Sequence, residues 1–392
     1  MHKSKDRKHI LHLPKWYPYP ADPQNGVFIR KQIEALGPKF QNSVLFIKSA
    51  KQDEIFNIVS IQNDHVETCM VYFREYNGFR LFKQIVHLLR YLSGFKKGLN
   101  HLIKTNGKPN VIHAHVLLRT GLLAWYYSRK FGIKFIISEH WSGFMTGAFN
   151  KKNLIYRQLS KLVLRKAAKV LVVSDILKQS FLKLGISKMT IEVVPNVVEV
   201  RESPIKQVDV KEKKSVVMLS VADLVDDIKK ISEVIDVVAE LINNYKLEYW
   251  IVGDGEDRQH LEDLARSKGL LNTNIKFHGR KTNDEVLQII NQSDFLVMNS
   301  VFETFSVVTA EALLAGKPVV ATRCGGPEIF VDEKNGILIN PGNKSELKEA
   351  IMQMIENYNS YDPDELKLGI SQRFSSEAVG LKLNSIYDLV FL

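Results

Sequence analysis

Acidic side chains almost vanish from one long stretch of this chain. Between Tyr76 and Ser174 there are 18 Lys+Arg and a single carboxylate, Glu139. Cysteine is also scarce. Cys69 and Cys324 lie far apart and form no metal-ligand spacing, which excludes a disulfide framework and fits a reducing compartment. No run approaches ~18 apolar residues, so nothing is expected to span a membrane. The basic N-terminus, MHKSKDRKHILHLPKW, has its apolar run broken by His12, Pro14 and Lys15, too short for a signal peptide. A cytoplasmic protein is the expectation.

What is present is globular: 45% hydrophobic and 25% charged residues over 392 positions. That length suits two domains of roughly 150–200 residues. Charge divides the chain in the same way. Residues 1–200 hold 32 Lys+Arg and 12 Asp+Glu, and residues 201–392 hold 22 and 31. The basic half calls for a polyanionic partner: an acidic membrane surface, nucleic acid or an anionic glycan.

Both halves alternate apolar strands with amphipathic helices. The first reads as strands at 9–13, 42–49, 109–116, 134–140, 169–174 and 190–196 with helices between. Residues 200–214, VRESPIKQVDVKEKK, are polar and aperiodic and read as a linker. The pattern then restarts with SVVMLSVADL. Such alternation predicts parallel sheets covered on both faces. The expected class is α/β, with two doubly wound Rossmann-like domains facing a central cleft. The domains are 1–199, on the acceptor side, and 200–374, on the donor side. The terminal helix, 375–392, is a candidate to pack back on the first.

The stretch FETFSVVTAE (302–311) holds two carboxylates, Glu303 and Glu311, in apolar surroundings. It follows an apolar strand and opens a helix, with Ser306 as the expected N-cap and Gly316 as the C-cap. A helix start behind a strand offers free N–H groups, suited to a diphosphate. Two solvated surface charges, or a glycosidase-type carboxylate pair, explain the same spacing. CGGPEIF (324–330) and VGDGE (252–256) are further glycine loops at strand ends, and the latter is a weak motif alone.

EVVPNVV, LSVADL, IVGDGEDRQHLEDLA, IKFHGR, SVFETFSVVTAEALLAGKPVVAT and GGPEIFVDEKNGILI follow one another over 192–339. In this order they resemble the family 4 glycosyltransferases of GT-B fold. The resemblance implies retaining sugar transfer from a nucleoside diphosphate sugar; no metal motif appears, so no metal or other cofactor is expected. It implies that Glu303 lies by the donor sugar, that Glu311 holds the ribose, and that backbone amides of Phe305, Ser306 and Val307 cradle the diphosphate. It also implies Gly26 in a loop approaching the phosphate or acceptor. One departure stands out. Asp223 occupies the place of an expected phosphate-binding arginine, and Lys229 fits the expected lysine only with one residue inserted. Either the loop is rebuilt, with Lys229 and Lys230 supplying charge, or Arg280 or Arg323 compensates; an inactive transferase is the remaining reading.

In the first half, IHAHV puts His113 and His115 on one side of a strand end. Packed histidines account for that. A zinc site would need ligands that no spacing supplies. The resemblance gives His115 a place beside the donor sugar. Glu139 reads as an ion pair with Lys134 or Arg165, or, with His140, as part of an acceptor site. Residues 79–104 form a long helix, apolar and basic with no acid, which reads as core-facing or as a contact with anionic lipid. Nucleic acid is not an expected partner, because no recognition module is present.

These readings converge on a hexosyltransferase-type enzyme of polysaccharide or glycolipid biosynthesis, peripheral at the inner membrane face. Glu303, His115 and Lys229 are its catalytic candidates. Its substrates are a nucleotide-sugar donor and a glycan or lipid-linked acceptor. The competing readings are a sugar-nucleotide epimerase of the same fold and a non-catalytic sugar-binding protein.

Overall fold

The computed structural model describes residues 7–63, 65–199 and 215–392, so the expected linker at 200–214 lies outside the described residues. The chain divides into two compact units, Met1–Val197 with Val379–Leu392, and Val198–Ala378.

In the first unit the elements run β1 (His9–Pro14), α1 (Val27–Glu34), β2 (Gln41–Ala50), β3 (Phe56–Asn63), β4 (Val66–Arg74), α2 (Arg80–Asn106), β5 (Val111–His115), α3 (Thr120–Phe131), β6 (Lys134–Glu139), α4 (Leu154–Lys166), β7 (Lys169–Val172), α5 (Asp175–Lys183) and β8 (Ile191–Val193). The strands form one sheet in the order β3-β4-β2-β1-β5-β6-β7-β8. All pairs are parallel except β3 with β4, which corrects the wholly parallel expectation. β3 could join antiparallel because a short hairpin needs no crossover helix. As an edge strand it is largely exposed, so it lacks the apolar run that marks its buried neighbours.

β1 and β5 are buried along their whole length, as central strands must be. The chain runs outward from β1 to β3, then returns to β5 and proceeds the other way. The switch point therefore falls between β1 and β5. Three crossovers, β4 to β5, β5 to β6 and β6 to β7, run in the same direction. The right-handed rule puts α2, α3 and α4 on one face.

The second unit contains β9 (Val216–Val221), α6 (Asp226–Lys229), α7 (Ile231–Leu241), β10 (Leu247–Val252), α8 (Arg258–Ser267), β11 (Ile275–Gly279), α9 (Asn283–Gln292), β12 (Phe295–Met298), α10 (Val307–Leu314), β13 (Val319–Thr322), β14 (Gly336–Ile339), α11 (Lys344–Asn357) and α12 (Pro363–Phe374). Its sheet is wholly parallel, ordered β11-β10-β9-β12-β13-β14, with the switch point between β9 and β12. Its core joins Met218, Tyr249 and Phe295 of the sheet to Val234, Val238 and Ile351 of the helices.

The last helix, α13 (Ser376–Phe391), belongs to the first unit from Val379 onward. Val379, Leu383, Ile386 and Val390 pack with Ile10, Val111 and Ile136. Full burial of such side chains contributes about 1.5–3 kcal/mol each. Gly380 fits because a Cβ there would overlap the Ala35 carbonyl.

Candidate functional site

Ligands in open α/β sheets bind beyond the carboxyl ends of strands at the switch point. The second unit has a cavity of about 190 Å³ at that place. Ser220, Val221 and Ala222 line it from the end of β9, and Asn299 and Ser300 from the end of β12. Ser306, Val307 and Val308 add the start of α10, and Lys229 and Glu303 add opposite charges.

The two charges are paired. Lys229 Nζ donates to Glu303 Oε1 at 2.5 Å, and Ser300 Oγ donates to the same oxygen at 3.0 Å. Glu303 is thus not a free loop charge. Its backbone N–H is held by the Cys324 carbonyl. That bond ties the 300–306 loop to the glycine loop after β13. Gly326 permits the approach, because a Cβ there would overlap the Phe305 backbone. Burial pushes the nearby Cys324 thiol up to about 12, so it is a neutral packing group.

Ser306 precedes α10 with a left-handed backbone, φ 66°, costly for a residue with a Cβ. Its side chain does not cap the helix as expected. Its hydroxyl meets the Thr309 hydroxyl at 2.7 Å instead. The first N–H groups of α10 precede any i−4 carbonyl, and Val307 and Val308, which carry two of them, line the cavity. Phe305 does not line the cavity. Its ring is buried against Phe330 and Phe374, anchoring the loop from behind. Glu311 lies further along α10, half-buried and outside the cavity lining.

The inserted residue near Lys229 has a structural account. The loop after β9 is rebuilt as the single turn α6, which presents Lys229. Lys230 then turns the chain with φ 52° and opens α7. Lys230 contributes its carbonyl, which accepts from Asn299 Nδ2 at 3.3 Å, and its side chain does not line the cavity as the sequence suggested. The Asp226 carboxylate caps α7 through the Ser232 N–H and hydroxyl. Asp223 is exposed and lies 3.8 Å from Arg280. The glycines of VGDGE have a packing role: Cβ atoms at Gly253 and Gly255 would overlap the Ala222 and Leu224 carbonyls. Asn299, Ser300 and Ser220 were missed from sequence, although polar residues ending an apolar strand were a usable signal.

The first unit carries its polar groups around its own switch point. His12, His113 and His115 are buried at the adjoining ends of β1 and β5, with nitrogens within 4.8 Å of one another. Such a set could hold a metal, yet most of its nitrogens have partners. His113 is bonded to the Tyr387 hydroxyl at 2.5 Å and to Ser138 Oγ at 2.7 Å. His12 Nε2 meets Asn42 Oδ1 at 3.2 Å, so Nε2 carries the proton and Nδ1 accepts. His115 Nε2, 3.2 Å from His12 Nδ1, must then donate. That leaves His115 Nδ1 as a buried acceptor with no partner among the described residues. Burial holds His113 and His115 well below the usual imidazole range and lowers His12 to about 3.

Glu139 is also buried, and the expected ion pair with Lys134 or Arg165 is absent among the described residues. Its carboxylate accepts three backbone N–H groups, from Leu117, His140 and Trp141, each at 2.9 Å. It fastens the loops after β5 and β6 rather than facing an acceptor. Desolvation raises its pKa and those three bonds oppose the rise. His140 is buried against Phe28 with both ring nitrogens unpartnered among the described residues, and burial lowers it to about 3. Gly26 starts α1 with φ 68°, and a Cβ there would overlap the Trp16 backbone. The close approach it permits is to its own chain.

The model of the glycosyl transferases group 1 matches residues 202–365, and that of Glycosyltransferase Family 4 matches residues 65–202. Together they cover more than half of the chain. The chain belongs to the family 4 glycosyltransferases. An uncharacterised glycosyltransferase of Methanocaldococcus jannaschii is 32% identical over 162 residues, 39% of this chain and 44% of that protein. The lipopolysaccharide core biosynthesis glycosyltransferase LpsE of Rhizobium meliloti is 34% identical over 122 residues, 31% of this chain and 34% of its own. The chain thus matches less than half the length of these relatives. Among solved structures, Anabaena HepE in complex with UDP and glucose superposes with a TM-score of 0.71 at 18% identity, covering 98% of this chain and 100% of that one. The two doubly wound sheets are those of the GT-B fold.

Proposed function

We propose that this family 4 glycosyltransferase takes a sugar from a nucleoside diphosphate sugar and passes it, with retained anomeric configuration, to a glycan or lipid-linked saccharide. The observation that carries the reading is the second unit's cavity. It sits at the switch point and combines a helix start, the Lys229–Glu303 pair and strand-end hydroxyls. The likeness of the chain's fold to one solved with UDP and glucose supports a nucleotide-sugar donor. The partial match to LpsE supports a polysaccharide or glycolipid product.

In this reading the N–H groups of Ser306 and Val307 and the Lys229 ammonium meet the diphosphate as negative charge builds on it. Lys229 is the mobile term: held by Glu303 without donor, it shifts toward phosphate when donor arrives. Glu303 then stands by the sugar and Glu311 by the ribose. The chemistry is a same-face displacement with no covalent nucleophile and no metal. The test is a mass-spectrometric screen of UDP-, GDP- and ADP-sugars with glycan and lipid-linked acceptors. Glycosylated acceptor is expected. An altered free sugar nucleotide formed without acceptor would instead show an epimerase, and binding without turnover a sugar-binding protein.

A further inference from the structure

We propose that the outer face of the α2–α4 layer docks on an anionic lipid bilayer, an inference independent of the chemistry above. α2 leaves Phe82, Ile85, Leu88, Leu89 and Leu92 between 42% and 61% exposed. Their spacing of three and four residues puts them on one stripe, along the first half of the helix. A soluble helix turns that stripe toward the core. Further along α2 the same heptad register is taken up by Phe95, Leu99 and Leu102, which are buried, so the stripe meets the core only in the second half of the helix.

The exposed stripe has company. α3 lies beside α2 through the Phe95–Tyr127 ring contact, and α4 packs on α3 where Gly121 lets Val163 come close. The first turn of α4 exposes Leu154 and Ile155, the latter by 73%. The three helices share one face of the sheet by the handedness of their crossovers. Exposed apolar side chains grouped in this way mark an interaction site rather than ordinary surface.

Charge identifies the occupant. Residues 76–174 carry 18 Lys+Arg and one carboxylate, and that carboxylate is buried. α2, α3 and α4 themselves thus carry basic residues and no carboxylate. Lys83 and Lys96 are exposed on α2, and Lys151, Lys152, Arg165 and Lys166 flank or end α4. Nucleic acid would answer the charge but not the aliphatic stripe. A second copy of the same face would answer the stripe but repel through its lysines. An interface of anionic headgroups above acyl chains answers both, with apolar side chains at the acyl boundary and lysines among headgroups. Among the described residues no helix is long and apolar enough to cross a membrane, so this contact lies on the surface.

The experiment is flotation of the full chain with vesicles of phosphatidylcholine alone or mixed with phosphatidylglycerol, at low and high salt. Binding is expected to require phosphatidylglycerol and to weaken with salt. Phe82→Glu with Leu89→Glu, and separately Lys83→Glu with Lys96→Glu, should each weaken it by more than about tenfold. All four positions are exposed, so melting temperatures should match the wild type. Turnover of a soluble acceptor analogue, where turnover exists, should not change. Absence of binding at low salt overturns the proposal, as do equal binding to both vesicles and undiminished binding of the variants. A lipid-free dimer that Phe82→Glu dissolves would show the face to be a self-interface, and also overturns it.

Discussion

Mild acid should unfold the first unit well before it damages the second. His12 and His140 are buried, and desolvation lowers each from 6.5 to about 3 in the folded chain. The unfolded chain returns them to the ordinary value. Below pH 6.5 the unfolded state therefore binds more protons, and stability falls with pH until the folded value is reached. Between pH 6.5 and pH 5 the loss is 1.5 units of pH at about 1.36 kcal/mol per unit, or about 2 kcal/mol for each residue. The figure does not depend on the exact folded pKa, as long as that lies below 5. Together the two cost about 4 kcal/mol, against a usual total of about 5–15 kcal/mol. His113 and His115 are displaced in the same direction. Glu139 acts oppositely: its raised pKa contributes stability present at low pH and lost as pH rises. Urea unfolding followed by tryptophan fluorescence at pH 7 and pH 5 reads this, because Trp16, Trp125 and Trp141 lie in the first unit and Trp250 in the second. A first-unit transition that keeps its stability within about 1 kcal/mol at pH 5 would refute the burial of neutral histidines.

Three further outcomes are expected. Glu139→Gln should destabilise the first unit, because an amide cannot accept all three N–H bonds and each buried donor left unpaired costs about 1–3 kcal/mol; wild-type stability in urea would contradict the loop-fastening role. Asp223→Arg should change stability by less than about 0.5 kcal/mol, since the Arg280 pair it breaks is exposed. Its donor affinity should hold or rise in calorimetry, and a large loss would give the aspartate a role of its own. Glu311→Ala should weaken nucleotide binding by about 10–100-fold, the worth of a charged hydrogen bond; unchanged UDP and GDP affinities would end the ribose assignment.

The sheets were legible because buried parallel strands such as HILHL and DFLVMNS are continuous apolar runs with helices between them. β3 and β4 were not: β3 is a largely exposed edge strand that mixes Asn, Ser and Gln with its aliphatics, and β4, though buried, sets Glu67 and Thr68 among its apolar residues. Two strand-like runs separated by two residues, FNIVSIQN and VETCMVYFR, were the signal that could have found the hairpin. Glycines were legible as close approaches but not as to what approaches: Gly26, Gly253, Gly255 and Gly326 all admit the protein's own backbone. Burial of carboxylates was harder to read. Glu303 and Glu139 look alike in sequence, each an acid among apolar residues. One is met by a lysine from 74 positions away and the other by three backbone N–H groups, two adjacent and one, of Leu117, from 22 positions away. Partners brought by tertiary folding leave no mark in local spacing.

The charge problem of the donor unit narrows on the same grounds. The unit is acidic overall, and Asp223 replaces an expected arginine. Asp223, however, is exposed beside Arg280 and outside the cavity lining, so its field is screened by solvent and by its partner. Among the described residues Lys229 is the one cation lining the cavity, beside the ends of β9 and β12. A phosphate there should depend on Lys229 far more than on Arg280. Arg280→Ala should leave nucleotide affinity within about threefold, while Lys229→Ala should lower it at least about tenfold. Part of that loss would come from the Glu303 carboxylate, left unpaired beside the phosphates. The double variant Lys229→Ala with Glu303→Gln isolates this repulsion and should recover some affinity. If Arg280→Ala is the more damaging change, the phosphates bind outside the cavity, near the Asp223 loop, and the switch-point site is wrong.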